Sequence, residues 1–220
     1  MKKTNISVSV LDADFAKIGE TVQEIEAGGA DSIHLDVMDG HFVRNLSFGP
    51  GIIKSIRKLT DLEFEAHLMI ENPAEYLEKF ADSGCDSLIV HLESARSIDK
   101  VLESIGKLGL SSGIAVNPAT KMEDAIEAMG MAEKLLVMTV NPGYGGQAFM
   151  PGSLERVKRA RMLIDELDLD VKIGVDGGID KKTGADAVDA GADFLVAGSS
   201  LLKSKSIRGA IRELRKACIA

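Results

Sequence analysis

The sequence predicts an α/β fold, a single-domain TIM (β/α)8 barrel spanning residues 1–220, and three observations carry that prediction. Short β-branched runs alternate with amphipathic stretches from end to end. One corner, glycine–small residue–aspartate, recurs three times between a helical pattern and a hydrophobic run. The 220 residues contain no linker or low-complexity stretch, which suits one packed core. A doubly wound open sheet is the structural alternative.

The runs are Ile6 to Leu11, Ser32 to Met38, Leu62 to Met69, Ser87 to His91, Ser112 to Val116, Leu135 to Val140, Val171 to Val175 and Phe194 to Ala197. Each is strand-length and lacks polar alternation, as expected of parallel strands covered on both faces. Between them, Phe15, Ile18, Val22 and Ile25 repeat at helical spacing, and Gly28 and Gly29 supply a stop. Asn72, Pro73 and Glu75 fit an N-cap, a first-turn proline and a third-position acid, and Thr120 with Glu123 fits a capping box. Further stripes are Ile98, Val101, Leu102 and Ile105; Leu154, Val157 and Ile164; and Ile207, Ile211 and Leu214. The recurring corners are Gly29-Ala30-Asp31, Gly84-Cys85-Asp86 and Gly191-Ala192-Asp193. In each, a glycine ends a helix and the aspartate stands just before a strand, the mark of repeated βα units.

Composition narrows the function. Apolar residues are 45% and charged residues 27% of the chain, the balance of a soluble globular protein. A formal charge of -8 argues against a nucleic-acid partner, because a phosphate backbone needs a basic face. An anionic ligand would need backbone N–H groups, a metal or a few local donors. Cys85 and Cys218 have no redox or metal spacing and read as packing residues in a reducing compartment, so a cytoplasmic location is expected. Lys2 and Lys3 open the chain, but Asp12 and Asp14 interrupt the apolar stretch before it becomes a signal segment, and no run approaches a membrane span.

Barrel chemistry sits where strands end. The second run ends His34-Leu35-Asp36-Val37-Met38-Asp39-Gly40, and residues two apart on a strand point the same way. The third contributes His67 and the seventh Asp176 at the same level. Two imidazoles and two carboxylates from three strand ends suit one divalent metal per chain, with Zn²⁺, Fe²⁺, Mn²⁺ and Co²⁺ all compatible. A lone strand histidine is more often a hydrogen-bonded core residue; four such side chains together are not explained that way. Glycines follow runs six to eight, in Asn141-Pro142-Gly143-Tyr144-Gly145-Gly146-Gln147, Asp176-Gly177-Gly178 and Gly198-Ser199. Loops there hold phosphate in barrels, and backbone N–H groups of Gly146, Gly178, Gly198 and Ser199 are the expected cradle. Ser9 can add a hydroxyl. Met38, Met69 and Met138 read as core, with an apolar rim that excludes water as the functional alternative. His91 reads as a packing or supporting residue, and His41 has no nameable partner.

These residues resemble the ribulose-phosphate 3-epimerase family over nearly the whole length. The resemblance rests on Ser7 to Leu11, His34 to Asn45 with Phe48 and Gly49, His67-Leu68-Met69, Asn117-Pro118, Val137 to Gln147, Asp176-Gly177-Gly178 and Gly198-Ser199. It implies a TIM barrel, a metal held by His34, Asp36, His67 and Asp176, and Asp36 and Asp176 as the acid/base pair. It further implies substrate contacts from Ser9, His67, Gly143, Tyr144, Gly145, Gly146, Gly177, Gly178, Gly198 and Ser199. The expected partner is a small phosphorylated sugar, with no nucleic acid or membrane, and a homo-oligomer is expected. Val8 and Arg44 depart from the family, which commonly has proline at both positions.

Epimerisation at C3 of a ketose phosphate removes a proton α to a carbonyl and returns it from the other face, which needs two proton carriers and stabilisation of an enediolate. D-ribulose 5-phosphate to D-xylulose 5-phosphate, a pentose phosphate pathway step, is the expected reaction, with another ketose phosphate such as allulose 6-phosphate as the alternative. A Schiff-base aldolase would need a lysine at a strand's C-terminal end, whereas Lys134 and Lys172 stand at strand starts. A non-catalytic phosphosugar-binding protein would be free to lose an aspartate, and both are present.

Overall fold

The computed structural model describes residues 4–218; Lys2 and Lys3 lie outside them. Eight parallel strands, β1 (Asn5–Ser9), β2 (Ser32–Met38), β3 (Glu63–Met69), β4 (Ser87–His91), β5 (Ser111–Val116), β6 (Lys134–Met138), β7 (Lys172–Asp176) and β8 (Phe194–Ala197), close in sequence order into a barrel. Helices wrap it: α1 (Ile18–Gly28), α2 (Pro50–Arg57), α3 (Leu77–Asp82), α4 (Ile98–Lys107), α5 (Ile126–Met129), α6 (Ser153–Glu166), α7 (Lys181–Asp189), α8 (Ser199–Leu202) and α9 (Ile207–Ala217). The fold is the expected TIM barrel, and the open sheet is excluded by the pairing of β1 with β8.

Strand residues alternate between two cores. Outward side chains such as Ile6, Val8, Leu35 and Leu68 pack with Val22, Ile53, Ile105 and Ile211 of the helices into the main cluster. Inward ones, including Ile89, Ala115, Leu136, Met138, Phe194 and Val196, fill the barrel itself. Val8 belongs to the outward set and is fully buried. Cys85 and Cys218 are free and buried, as packing residues, and burial pushes the Cys85 thiol up to about 11. Among the described residues no helix is long and apolar enough to cross a membrane.

The repeated corners are clasps at the N-terminal end of the barrel. The Asp31, Asp86 and Asp193 carboxylates accept the backbone N–H of Ile6, Phe64 and Ile173, at 2.8, 2.8 and 2.9 Å. Each carboxylate also meets an arginine: Arg215 at 2.6 Å, Arg57 at 3.1 Å and Arg161 at 3.4 Å. Gly84 shows why the corner begins with glycine: its φ is 94°, and a Cβ would stand 2.7 Å from Arg57 Cγ.

Two capping expectations are corrected. Asn72 is left-handed (φ 49°), its side chain makes no cap bond, and the Pro73–Glu75 segment is a 3-10 turn. Thr120 and Glu123 form no capping box, because Thr120 Oγ1 donates instead to Glu93 Oε1 at 2.5 Å and Glu123 pairs with Arg159 at 2.7 Å. A capping box does occur at α7, where Asp180 accepts from the N–H of Lys182 and Thr183. β1 and β6 also end earlier than their runs, leaving Val10, Leu11, Thr139 and Val140 in the loops that follow.

Candidate active site

Parallel register sets the site's level. Asp36 lies opposite His67, Ser9 opposite His34, and Met138 opposite Asp176. One ligand-type atom from each of His34, Asp36, His67 and Asp176 falls within 4.8 Å of the others. His34 Nε2 is 3.5 Å and His67 Nδ1 3.1 Å from Asp36 Oδ1, and His67 Nδ1 is 3.8 Å from Asp176 Oδ2. His34 Nε2 is buried without a hydrogen-bond partner among the described residues. A buried nitrogen facing two carboxylates and a second imidazole, with no proton partner of its own, fits a divalent cation.

Three of the four side chains, His34, His67 and Asp36, are held from behind. His34 Nδ1 lies 2.8 Å from Glu65 Oε1, and Glu65 Oε2 accepts from Lys134 Nζ at 2.8 Å. Lys134 also reaches Glu63 at 2.5 Å and Ser87 Oγ at 3.2 Å, so its strand-start position serves the barrel floor. His67 Nε2 is 2.8 Å from His91 Nε2, and His91 Nδ1 is 3.3 Å from Glu93 Oε2. If His67 Nδ1 offers a lone pair to the cluster, its Nε2–H donates to His91 and His91 Nδ1–H donates to Glu93. Ser9 Oγ donates to Asp36 Oδ2 at 2.6 Å, which places Ser9 in the site and fixes the carboxylate.

The two aspartates are driven apart. Burial alone would raise both, but the His34 and His67 imidazoles hold Asp36 far below the carboxylate range. Asp176 has no such surplus: burial, then the adjacent Asp36 charge, push it up to about 7. Burial would also raise Glu65, yet hydrogen bonds from His34 and the Lys134 charge bring it to about 2. His34 is raised despite its burial, because Asp36 and Glu65 both face it, whereas burial lowers His67 and brings His91 to about 4.

Above the cluster opens a cavity of about 380 Å³. Ser9, Asp36, Asp176 and the buried Met38, Met69 and Met138 line its floor and wall. Gly143, Tyr144, Gly145, Gly146, Gly177, Gly178, Gly198 and Ser199 line its outer end. Gly178 is required by packing as well as by any ligand, since at φ 66° a Cβ would collide with the Phe149 backbone nitrogen. The loops after β2 and β6 are clasped together: Tyr144 OH donates to the Arg44 carbonyl and Asn45 Nδ2 to the Gly143 carbonyl, both at 2.6 Å. The Arg44 side chain is exposed, and His41 is exposed and hydrogen-bonded to Asp39.

Three contributors escape the sequence reading. Glu63, Glu65 and His67 alternate along one strand and so share the barrel interior, a signal that would have exposed Glu65. Lys134 enters that reading only as misplaced for a Schiff base. Asp12 enters the cavity from the loop after β1, and its carboxylate accepts from Ser199 Oγ and, at 3.2 Å, from Lys203 Nζ.

A family model described as "Ribulose-phosphate 3 epimerase family" matches residues 5–202. The ribulose-phosphate 3-epimerase of Bacillus subtilis (strain 168) is 41% identical over 211 residues, covering 96% of this chain and 97% of the relative. That of Methanocaldococcus jannaschii is 40% identical over 215 residues, covering 97% and 91%. Among solved structures, KGPDC from Streptococcus mutans superposes with a TM-score of 0.75 at 14% identity, covering 99% of this chain and 98% of that one. The 3-hexulose-6-phosphate synthase from Salmonella typhimurium gives 0.70 at 17%, covering 98% of each. At such identities these two likenesses bear on the fold alone. The sequence relatives and the family model go further: the chain belongs to the ribulose-phosphate 3-epimerase family.

Proposed function

We propose that residues 1–220 act as one catalytic unit that converts D-ribulose 5-phosphate to D-xylulose 5-phosphate, with Asp36 and Asp176 as its two proton carriers. The observation that carries this reading is geometric: the Asp36 and Asp176 carboxylates, on strands three steps apart around the ring, stand together with two imidazoles at the floor of the cavity. Inversion needs one group ready to take a proton and another ready to give one, on opposite faces of the same carbon. Asp36, held ionised by His34 and His67 and oriented by Ser9, takes the C3 proton. Asp176 delivers a proton to the other face, and the roles exchange in the reverse direction.

His34, Asp36, His67 and Asp176 would hold a Zn²⁺, Fe²⁺, Mn²⁺ or Co²⁺ ion, which supplies Lewis-acid stabilisation of negative charge on the substrate oxygens. Met38, Met69 and Met138 keep water from the reacting carbon. Backbone N–H groups of Gly146, Gly178, Gly198 and Ser199 form the phosphate cradle, with Gly143, Tyr144, Gly145 and Gly177 shaping the loops around it. A homo-oligomer is in keeping with Phe15, Leu46 and Ile52, exposed side by side next to the mouth. A cytoplasmic location is in keeping with two free, buried thiols. The test is a panel of ketose phosphates given to metal-loaded protein in D₂O. Ribulose 5-phosphate should show the highest kcat/KM and gain deuterium at C3; faster turnover of allulose 6-phosphate would overturn the substrate assignment.

A further inference from the structure

The outer end of the cavity, where the glycines of the last three loops converge, already contains an anionic group of the chain's own. Asp12 is largely buried there (23% side-chain exposure), with its carboxylate oxygen accepting from Ser199 Oγ and from Lys203 Nζ. Gly145 leaves just enough room for it, since a Cβ on that residue would stand 2.6 Å from Asp12 Oδ2. A Cβ on Gly146 would stand 3.6 Å from Ser199 Oγ and 3.7 Å from Lys203 Nζ, so both donors face the same small volume. Two side-chain donors beside the glycine N–H groups of the expected cradle, Ser199 Oγ and Lys203 Nζ, are therefore engaged by a carboxylate.

We propose that Asp12 is an internal stand-in for the substrate's phosphate: in the free protein it holds Ser199 Oγ and Lys203 Nζ beside the expected cradle, and it must release them when the phosphate enters. The inference rests on the phosphate-cradle reading above. A carboxylate and a phosphate dianion a few ångströms apart repel, so the native cradle discriminates against weakly held anions such as free inorganic phosphate. A phosphorylated sugar, anchored also by its ketose end at the aspartates, has the extra binding energy to displace the stand-in. The arrangement also accounts for how a site in a chain of net charge -8 can keep a lysine near the phosphate without making it a strong general anion trap.

The test is calorimetric titration of inorganic phosphate onto the native chain, Asp12→Asn, Lys203→Ala and the double variant, at low and moderate salt. Asp12→Asn should bind phosphate roughly ten-fold more tightly than the native chain, with the gain shrinking as salt rises. Lys203→Ala should change native affinity little, because it removes an attraction and loosens the stand-in together. In the Asp12→Asn background the same change should cost several-fold, so the two substitutions are non-additive. Asp12→Ala repeats the test should Asp12→Asn fold poorly. If the native chain binds phosphate and loss of the Asp12 charge leaves affinity equal or weaker, Asp12 aligns the cradle and the stand-in idea is wrong. If neither the native chain nor any variant binds phosphate, while ribulose 5-phosphate turnover resists phosphate competition, the cradle itself lies elsewhere and both readings fall.

Discussion

At the N-terminal end of the barrel, Asp31, Asp86 and Asp193 each accept a backbone N–H from a neighbouring strand and meet an arginine. At the C-terminal end, Asp36 and Asp176 meet each other and two imidazoles, and His34 Nε2 is left without a hydrogen-bond partner among the described residues. The residue type is the same; the partners differ. Carboxylates matched to fixed backbone donors have one favourable state and lock the chain's corners. Carboxylates set against each other and against imidazoles shift one another's proton affinity, which suits proton transfer or cation binding. Under the proposed function, the chemistry falls at one end of the eight strands and the locked corners at the other.

The sharpest way to break this contrast is at the top. Asp36→Asn and Asp176→Asn should each lower turnover by roughly 10²–10⁴-fold while thermal denaturation midpoints hold or rise. Unfolding of either variant, or near-native turnover, would erase the distinction. Next comes Glu65→Gln, which keeps the shape behind His34 but weakens its anchor. Its divalent-metal affinity, read by competition with a chromophoric chelator, should fall about 10–100-fold.

The bottom should respond in the opposite sense. Asp86→Ala leaves the Phe64 N–H without its acceptor and should cost about 1–3 kcal/mol in urea denaturation, with turnover unchanged. Most of that loss belongs to the backbone bond, because the Asp86 side chain is 53% exposed and its arginine contact is screened. The smallest effect tests an intermediate case. Asp180 stands at the top yet accepts from the N–H of Lys182 and Thr183, as the corner aspartates do from theirs. Those bonds hold its carboxyl below its ordinary value of 3.8, so the folded state binds its proton less readily than the unfolded one. Its stabilisation is therefore complete above that pH and is lost as the pH falls through the lowered value. Asp180→Ala should cost about 1 kcal/mol in chemical denaturation near neutrality, and the gap to the native chain should narrow in acid.

What can be read in advance follows the same division. Strand ends are set by local periodicity, so His34, Asp36, His67 and Asp176 can be placed together from their positions in four-to-eight-residue runs. The corner aspartates are legible as a repeat, but their arginines come from distant helices, and only folding shows the pairing. Thr120 looks like a cap because its nearest acidic residue in sequence is Glu123; Glu93, from another strand's end, competes for the hydroxyl and wins. Asp12 is invisible for a stronger form of that reason, since Ser199 is 187 residues away.

The clasp over the cavity has a consequence for how the surface can vary. Tyr144 bonds the carbonyl of residue 44, a group that all twenty amino acids possess, and Asn45 likewise bonds the carbonyl of Gly143. Neither bond reads a side chain at position 44, so arginine there and any replacement, proline included, present the same acceptor. The loop's outer face is thereby free to drift, or to be re-engineered for a new neighbour, while the two loops stay joined.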